Sequence, residues 1–402
     1  MTINMAHSSV AQEIAGLLFA AGAADAGNQW RVELICNRMI GRSLLILMAA
    51  GAAFAASDPS VDGPFASTSQ TVNISGTQNA TLVTDVYFPG TTATGVDPAA
   101  GPYPAIVLGH GFLQSRNQHV NQGLQLATRG YIVLIPSFNG GSDHVRNGQD
   151  LSKCVDWILA RNADPASIFF GQVHTQAVGA TGHSAGGLSA ILAAANDPRI
   201  RVLSLMDPVD NGGQGVAALA IVNVPVAMTW SEPSACNASG SAEVLYAAAR
   251  GVRRGLKIVG ANHTDPQDPA GFLSILTCGN ASSTRQTLYR RYMAGWFEYH
   301  LRGDASYAPW ILNYTAGQLA ADLAAYRITY QAVVPLGLNL GLTNGVLALE
   351  VSGPTGQRFA LEHSLNWNPW VSVATNTTPV APVALPVSPS VDLELWRTQS
   401  LP

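Results

Sequence analysis

The sequence predicts an α/β protein: a mostly parallel sheet flanked by helices, followed by a small all-β C-terminal appendage. Short continuous apolar runs such as Ala105-Ile106-Val107-Leu108 and Tyr131-Ile132-Val133-Leu134-Ile135 read as strands buried on both faces. Segments with apolar residues at helical spacing alternate with these runs, which is the βα repeat of a parallel sheet. Past residue 326 the chain turns to short β-prone pieces separated by Gly-Pro, Asn and Pro-rich turns.

Taken in order, residues 1–55 read as an N-terminal extension and export signal. Arg38 and Arg42 precede the apolar run Ser43-Leu44-Leu45-Ile46-Leu47-Met48-Ala49-Ala50, and Ala53-Phe54-Ala55 fits the small-residue cleavage rule. A natural start at Met39 and cleavage near Ala55 are expected. The run falls short of the ~20 residues that a spanning helix needs. An exported protein can oxidise cysteines. Cys36 would be removed with the signal. Cys154 sits in the helical set Leu151, Cys154, Val155, Ile158, Leu159 and reads as a core thiol, so by elimination Cys236 and Cys278 are the candidate disulfide.

Residues 56–326 form the expected main domain. The alternating stretch 71–89 reads as antiparallel edge strands. The run at 105–108 ends at Gly109-His110-Gly111-Phe112, a helix is expected near 119–128, and the run at 131–135 stops at Pro136. The Cys154 helix leads to a strand near 177–181, then to Thr181-Gly182-His183-Ser184-Ala185-Gly186-Gly187 and an Ala/Leu-rich helix. Further strands end at Asp207 and Glu232. A last one, Leu256-Lys257-Ile258-Val259, is followed by His263. A helix carries Leu288, Tyr292, Trp296 and Tyr299 on one face, a core pattern. The β domain is expected over 327–402, with strands at 346–351, 358–362, 370–374 and 393–396.

Charged residues make up only 11% of the chain and the net charge is −4, with no basic stripe to neutralise a phosphate backbone, so nucleic-acid binding is not expected. No His/Cys cluster has metal-ligand spacing, and no metal or organic cofactor is expected.

The chemistry centres on Ser184. G-x-S-x-G at a strand-to-helix turn is a nucleophile elbow, which exposes the serine hydroxyl at the top of the sheet. A serine hydroxyl needs a base, and the base needs a carboxylate to fix its tautomer. His263, in the loop after the last parallel strand, is the candidate base. Asp207, 23 residues after Ser184, gives the order Ser, Asp, His and is the favoured acid. Glu232, at the end of the next strand, is the alternative acid, and Asp210 reads as a turn residue. Backbone N–H groups of Phe112 and Ala185 are the candidate oxyanion donors. His110 and His183 read as structural hydrogen-bonders beside them.

Over about residues 65–305 these features resemble the α/β-hydrolase superfamily. Within it, 104–112 ending in His-Gly-Phe, Gly130-Tyr131-Ile132-Val133, the GHSAGG elbow and Met206-Asp207-Pro208-Val209-Asp210 are similar to the group of chlorophyllases, secreted platelet-activating-factor acetylhydrolases and cutinase-type polyester hydrolases. The chlorophyllase-like DPVD segment places the acid on Asp207; cutinase-type enzymes carry theirs after the next strand, where this chain has Ser231-Glu232. The resemblance implies a secreted serine esterase that cleaves carboxylic esters through an acyl-enzyme, with a lipase or cutinase-type polyester hydrolase as the near alternative. A noncatalytic surface or carbohydrate-binding protein on the same scaffold is the alternative of another class. The expected partner is an ester substrate, be it small molecule, lipid or polyester. Residues 346–398 look like a small β domain appended to exported bacterial proteins, which implies surface or matrix attachment.

Overall fold

The computed structural model describes residues 56–312 apart from Gly140 and Gly251, residues 316–333, and six further strands between 337 and 400. The expected signal segment and Cys36 lie outside the described residues, as do residues 353–357 and 365–370 of the expected appendage.

Nine strands form one sheet in the order β1-β2-β4-β3-β5-β6-β7-β8-β9. They are β1 (Ser67–Ser75), β2 (Thr81–Pro89), β3 (Tyr103–Gly109), β4 (Ile132–Pro136), β5 (Val173–His183), β6 (Ile200–Met206), β7 (Val226–Trp230), β8 (Arg253–Ile258) and β9 (Ile328–Val333). The six from β4 to β8 in sheet order are parallel. The β1–β2 hairpin joins antiparallel at one edge, as the alternation at 71–89 predicts. At the other edge β9 pairs antiparallel with β8, so residues expected in the appendage complete the main sheet. The appendage strands that follow pair as two three-stranded antiparallel sheets, 346–352 lying between 337–343 and 383–384, and 358–364 between 371–377 and 395–400.

Alternate strand residues point to opposite faces, so a strand buried on both must be apolar throughout. Ala105 and Val107 enter one core with Leu151, Cys154 and Ile158 of helix α2 (His144–Ala163) and Leu188 and Ile191 of α3 (Ala185–Asn196). Ile106 and Leu108 enter the other, with Leu126 of α1 (Val120–Thr128) and Leu288, Tyr292 and Trp296 of the long helix Ser283–His300. Cys154 is a buried free thiol in the first core. No helix among the described residues is long and apolar enough to cross a membrane.

The chain runs from β3 outward to β4 and then returns past β3 to β5. The loops leaving β3 and β5 therefore diverge at a topological switch point, where open α/β sheets form their crevices. Those loops carry Phe112 and Ser184.

Close packing at the turn after β5 is enforced by three glycines. A Cβ on Gly186 would fall on the carbonyls of Gly109 and His110, one on Gly182 would meet the Gly186 backbone, and one on Gly187 would press on Pro208. Backbone cannot move aside as a flexible side chain can. Gly186→Ala should therefore lose stability at or beyond the ~3 kcal/mol upper end of ordinary overpacking, read as the shift in a urea midpoint. A midpoint equal to that of the wild type would contradict this packing.

Candidate active site

Ser184 stands between β5 and α3 with φ 56° and ψ −125°, a conformation that L residues rarely adopt. Four backbone hydrogen bonds secure it: Ser184 N–H donates to Met206 O at 3.2 Å, and Val209, Gly187 and Leu188 N–H donate to Ser184 O at 3.2, 3.0 and 3.3 Å. The end of β6 thus straps the turn. Asp207, at that end, also has positive φ, 44°, and its N–H donates to Thr229 O of β7 at 2.7 Å. Two strained residues held by neighbouring backbone is the pattern of an over-determined site.

His263 lies between them. Its Nε2 is 2.8 Å from Ser184 Oγ and its Nδ1 is 2.7 Å from Asp207 Oδ2. All three side chains are buried. A carboxylate only accepts, so Nδ1 carries the proton and Nε2 offers its lone pair to the serine hydroxyl. The His263 loop is braced from both sides. Asp265 accepts from Asn262 N–H at 2.8 Å and pairs with Arg285 at 2.6 Å, and the Thr264 hydroxyl donates to Ser274 O at 3.0 Å.

Ser274 belongs to a short helix, Phe272–Cys278, whose last residue is disulfide-bonded to Cys236 as expected, with a Cα separation of 5.9 Å.

Glu232 is engaged elsewhere. Its carboxylate pairs with Lys257 at 2.9 Å and accepts from Gly260 N–H at 3.1 Å. Burial opposes its ionisation, but Lys257 and the Gly260 N–H outweigh that and hold the carboxyl below its ordinary range. Asp210 is engaged with backbone, accepting from Asn211 N–H at 2.8 Å and from Gly215 N–H, in the first turn of the helix Gln214–Leu219, at 2.7 Å.

The loop after β3 is fixed by polar contacts of His110 and His183, both read from the sequence as structural hydrogen-bonders, and of Gln114, which the sequence did not single out. His110 Nε2 accepts from Phe138 N–H at 3.0 Å, so its Nδ1 carries the proton and donates to Gly111 O at 2.9 Å; burial keeps this ring neutral. Gln114 Oε1 accepts from Gly111 N–H at 3.1 Å and from His183 Nδ1 at 3.2 Å. A hollow of about 200 Å³ is lined by Phe112, Leu113, Gln114, Phe138 and Ala185 among others, so both expected oxyanion residues border it. Among the described residues no group of three or more His, Cys, Asp or Glu is arranged to hold a metal.

Behind His263 lies a row of buried imidazoles. The His183 ring is 4.6 Å from that of His263, and His119 is 6.0 Å from His183. Burial, with a smaller repulsion from His263, holds His183 well below the usual histidine range. A neutral His183 does not oppose positive charge on His263. Burial, with a small contribution from His110, lowers His119 to about 3, and neither of its ring nitrogens has a partner among the described residues.

In the unfolded chain that imidazole takes its proton near pH 6.5, while the folded protein refuses it. The stability present above about pH 6.5 is therefore lost as pH falls toward 3, by about 1.4 kcal/mol per pH unit for His119 alone. His119→Phe should make the fall in Tm between pH 6.5 and 4.5 shallower than in the wild type. An unchanged slope would contradict this origin.

A family model described as PETase, PET hydrolase-like, matches residues 51–313, well over half of the 402 residues. No curated protein matches the chain significantly.

Proposed function

The chain belongs to the PET hydrolase-like family of α/β-hydrolases, and from that membership we propose that it is an exported serine hydrolase that cleaves carboxylic esters through an acyl-enzyme. The observation that carries the reading is the continuous line from Ser184 Oγ through His263 to Asp207, with both hydrogen bonds at 2.7–2.8 Å.

In the reaction, Ser184 Oγ attacks the ester carbonyl carbon while its proton passes to His263 Nε2. Asp207, holding the Nδ1–H, stabilises the imidazolium. The negative charge that develops on the carbonyl oxygen is taken by the Phe112 and Ala185 N–H groups, which border the hollow beside the nucleophile. Collapse breaks the ester C–O bond, and His263 returns the proton to the departing alcohol. Water then gives a proton to His263 and attacks the acyl carbon; the bond from that carbon to Ser184 Oγ breaks, His263 returns the proton to Oγ, and the acid leaves. None of these steps calls on a metal or organic cofactor. Export is favoured by the basic and apolar segment at 38–55 and fits the Cys236–Cys278 bond.

A second reading, that the substrate is a polyester or lipid surface, is favoured by the mouth of the site. The hollow is smaller than the 300–1,000 Å³ usual for a site that engulfs its ligand. Phe272, Leu273 and Leu276 stand exposed on the disulfide-bonded helix that braces the His263 loop, and Phe112 and Leu113 are exposed beside the hollow. Single exposed apolar residues are ordinary, but Phe112 with Leu113 at the hollow, and three more on the helix that braces the base, suit contact with an apolar surface. Attachment through the C-terminal strands belongs with this reading. The test is a series of p-nitrophenyl esters of rising acyl length together with a polyester film, run on the wild type and Ser184→Ala. Hydrolysis above the Ser184→Ala background supports the enzyme, and equal rates would overturn it in favour of a noncatalytic surface or carbohydrate-binding protein. Preference for film or long chains supports the second reading.

A further inference from the structure

We infer that Ser231 and Asn237 form a relay that positions the Asp207 carboxylate, so that the active hydrogen-bond line has five members rather than three. This rests on the triad reading above. Ser231 immediately follows β7 and is fully buried. Its hydroxyl donates to Asp207 Oδ2, the same oxygen that accepts His263 Nδ1–H. Asp207 Oδ1 has no partner among the described residues, so Oδ2 alone fixes how the carboxylate faces the imidazole.

The direction of the Ser231 hydroxyl is set by Asn237. Asn237 Oδ1 accepts from Ser234 and Gly240 N–H at 2.8 and 3.1 Å, which leaves its Nδ2 as the donor on the other side. That Nδ2 donates to Ser231 Oγ at 3.0 Å and to Glu232 O at 2.9 Å. The amide Nδ2 can only donate, so the Ser231 proton points away from it; of the two acceptors it can reach, Glu232 O lies at 3.5 Å and the Asp207 carboxylate is much nearer and charged. Each bond in such a chain polarises the next, and in a buried site the effect is not diluted by water.

The anchoring extends to the base. Cys236, next to Asn237, is bonded to Cys278, and the helix ending at Cys278 accepts the Thr264 hydroxyl through Ser274 O. The donor that orients the acid and the loop that carries His263 are thus cross-linked to one another. Ser231 and Asn237 touch neither substrate nor reacting atoms, so they are positioning residues that act through Asp207.

Steady-state kinetics on Ser231→Ala, Ser231→Thr, Asp207→Asn and the Ser231→Ala/Asp207→Asn double variant test this. Ser231→Ala leaves Asn237 its bond to Glu232 O, so the loop retains an anchor. It should lower kcat about tenfold with KM within about twofold, the effect of losing one charge-assisted hydrogen bond. Ser231→Thr, which keeps the hydroxyl, should recover most of that loss. On the Asp207→Asn background, Ser231→Ala should change kcat by less than about twofold, because the group it acts through is gone. The low-field proton resonance of the His263 Nδ1–H should move in Ser231→Ala. Wild-type kcat in Ser231→Ala, or a full tenfold loss repeated on the Asp207→Asn background, would overturn the relay and leave the triad standing. Wild-type kcat in Asp207→Asn would overturn the triad and the relay together.

Discussion

Ser184→Ala lowers kcat for a soluble ester by about 10⁶-fold, to a residue of activity supplied by the oxyanion donors and binding alone. The expectation follows from the step that the variant removes. Without Oγ no acyl-enzyme forms, and His263 must instead direct water at a carbonyl placed for a different attacker. The substitution is sterically mild. The positive φ of Ser184 is held by Met206 O, Val209 N–H and Gly187 N–H, none of which involves the side chain. KM and Tm should therefore stay close to wild type, and a loss of kcat accompanied by unfolding would point to structure instead of chemistry.

Asp207→Asn lowers kcat by about 10⁴-fold, while Glu232→Gln leaves it unchanged. An asparagine can turn its amide toward His263 Nδ1, which then accepts and pushes the proton to Nε2, the wrong tautomer for a base. Glu232 sits with 39% of its side chain exposed, on Lys257 and the Gly260 N–H, so Glu232→Gln removes a partly solvated ion pair worth about 1 kcal/mol or less. Comparing kcat for the two variants checks the assignment. The reverse order of losses would transfer the acid role to Glu232.

Much of this was legible in the sequence because it is local or periodic. The runs at 105–108 and 131–135 are apolar throughout because they are buried on both faces, and the elbow glycines recur at fixed spacing because Gly109, Gly182 and Gly186 meet backbone to backbone. The pairing of Cys236 with Cys278 follows from the helical spacing that places Cys154 in the core. Asp207 and Glu232 are hard to separate in the sequence, since both end neighbouring strands. In the structure they differ in direction: successive residues of an extended chain face opposite sides, so Ser231 turns toward Asp207 and Glu232 turns toward Lys257 on β8.

What sequence could not show is long-range and carried by single residues. Gln114 holds Gly111 and reaches His183, 69 positions away from it, and Asn237 matters through one amide whose orientation two loop N–H groups impose. Neither lies in a repeating pattern. The strand Ile328–Val333 shares the β-prone composition of the appendage, and only its pairing with β8 assigns it to the main sheet. Ser231 had one usable signal, a small polar residue at the end of a buried parallel strand, where functional groups of such sheets gather.

The central claim, that Ser184 is a nucleophile activated by His263, is tested most directly by covalent trapping. The enzyme is incubated with a p-nitrophenyl phosphonate, and the adduct is located by peptide mass spectrometry. One equivalent on Ser184 is expected in the wild type, with loss of esterase activity in step with labelling, and none in Ser184→Ala. Labelling at another residue, or an active enzyme that stays unlabelled, would contradict it.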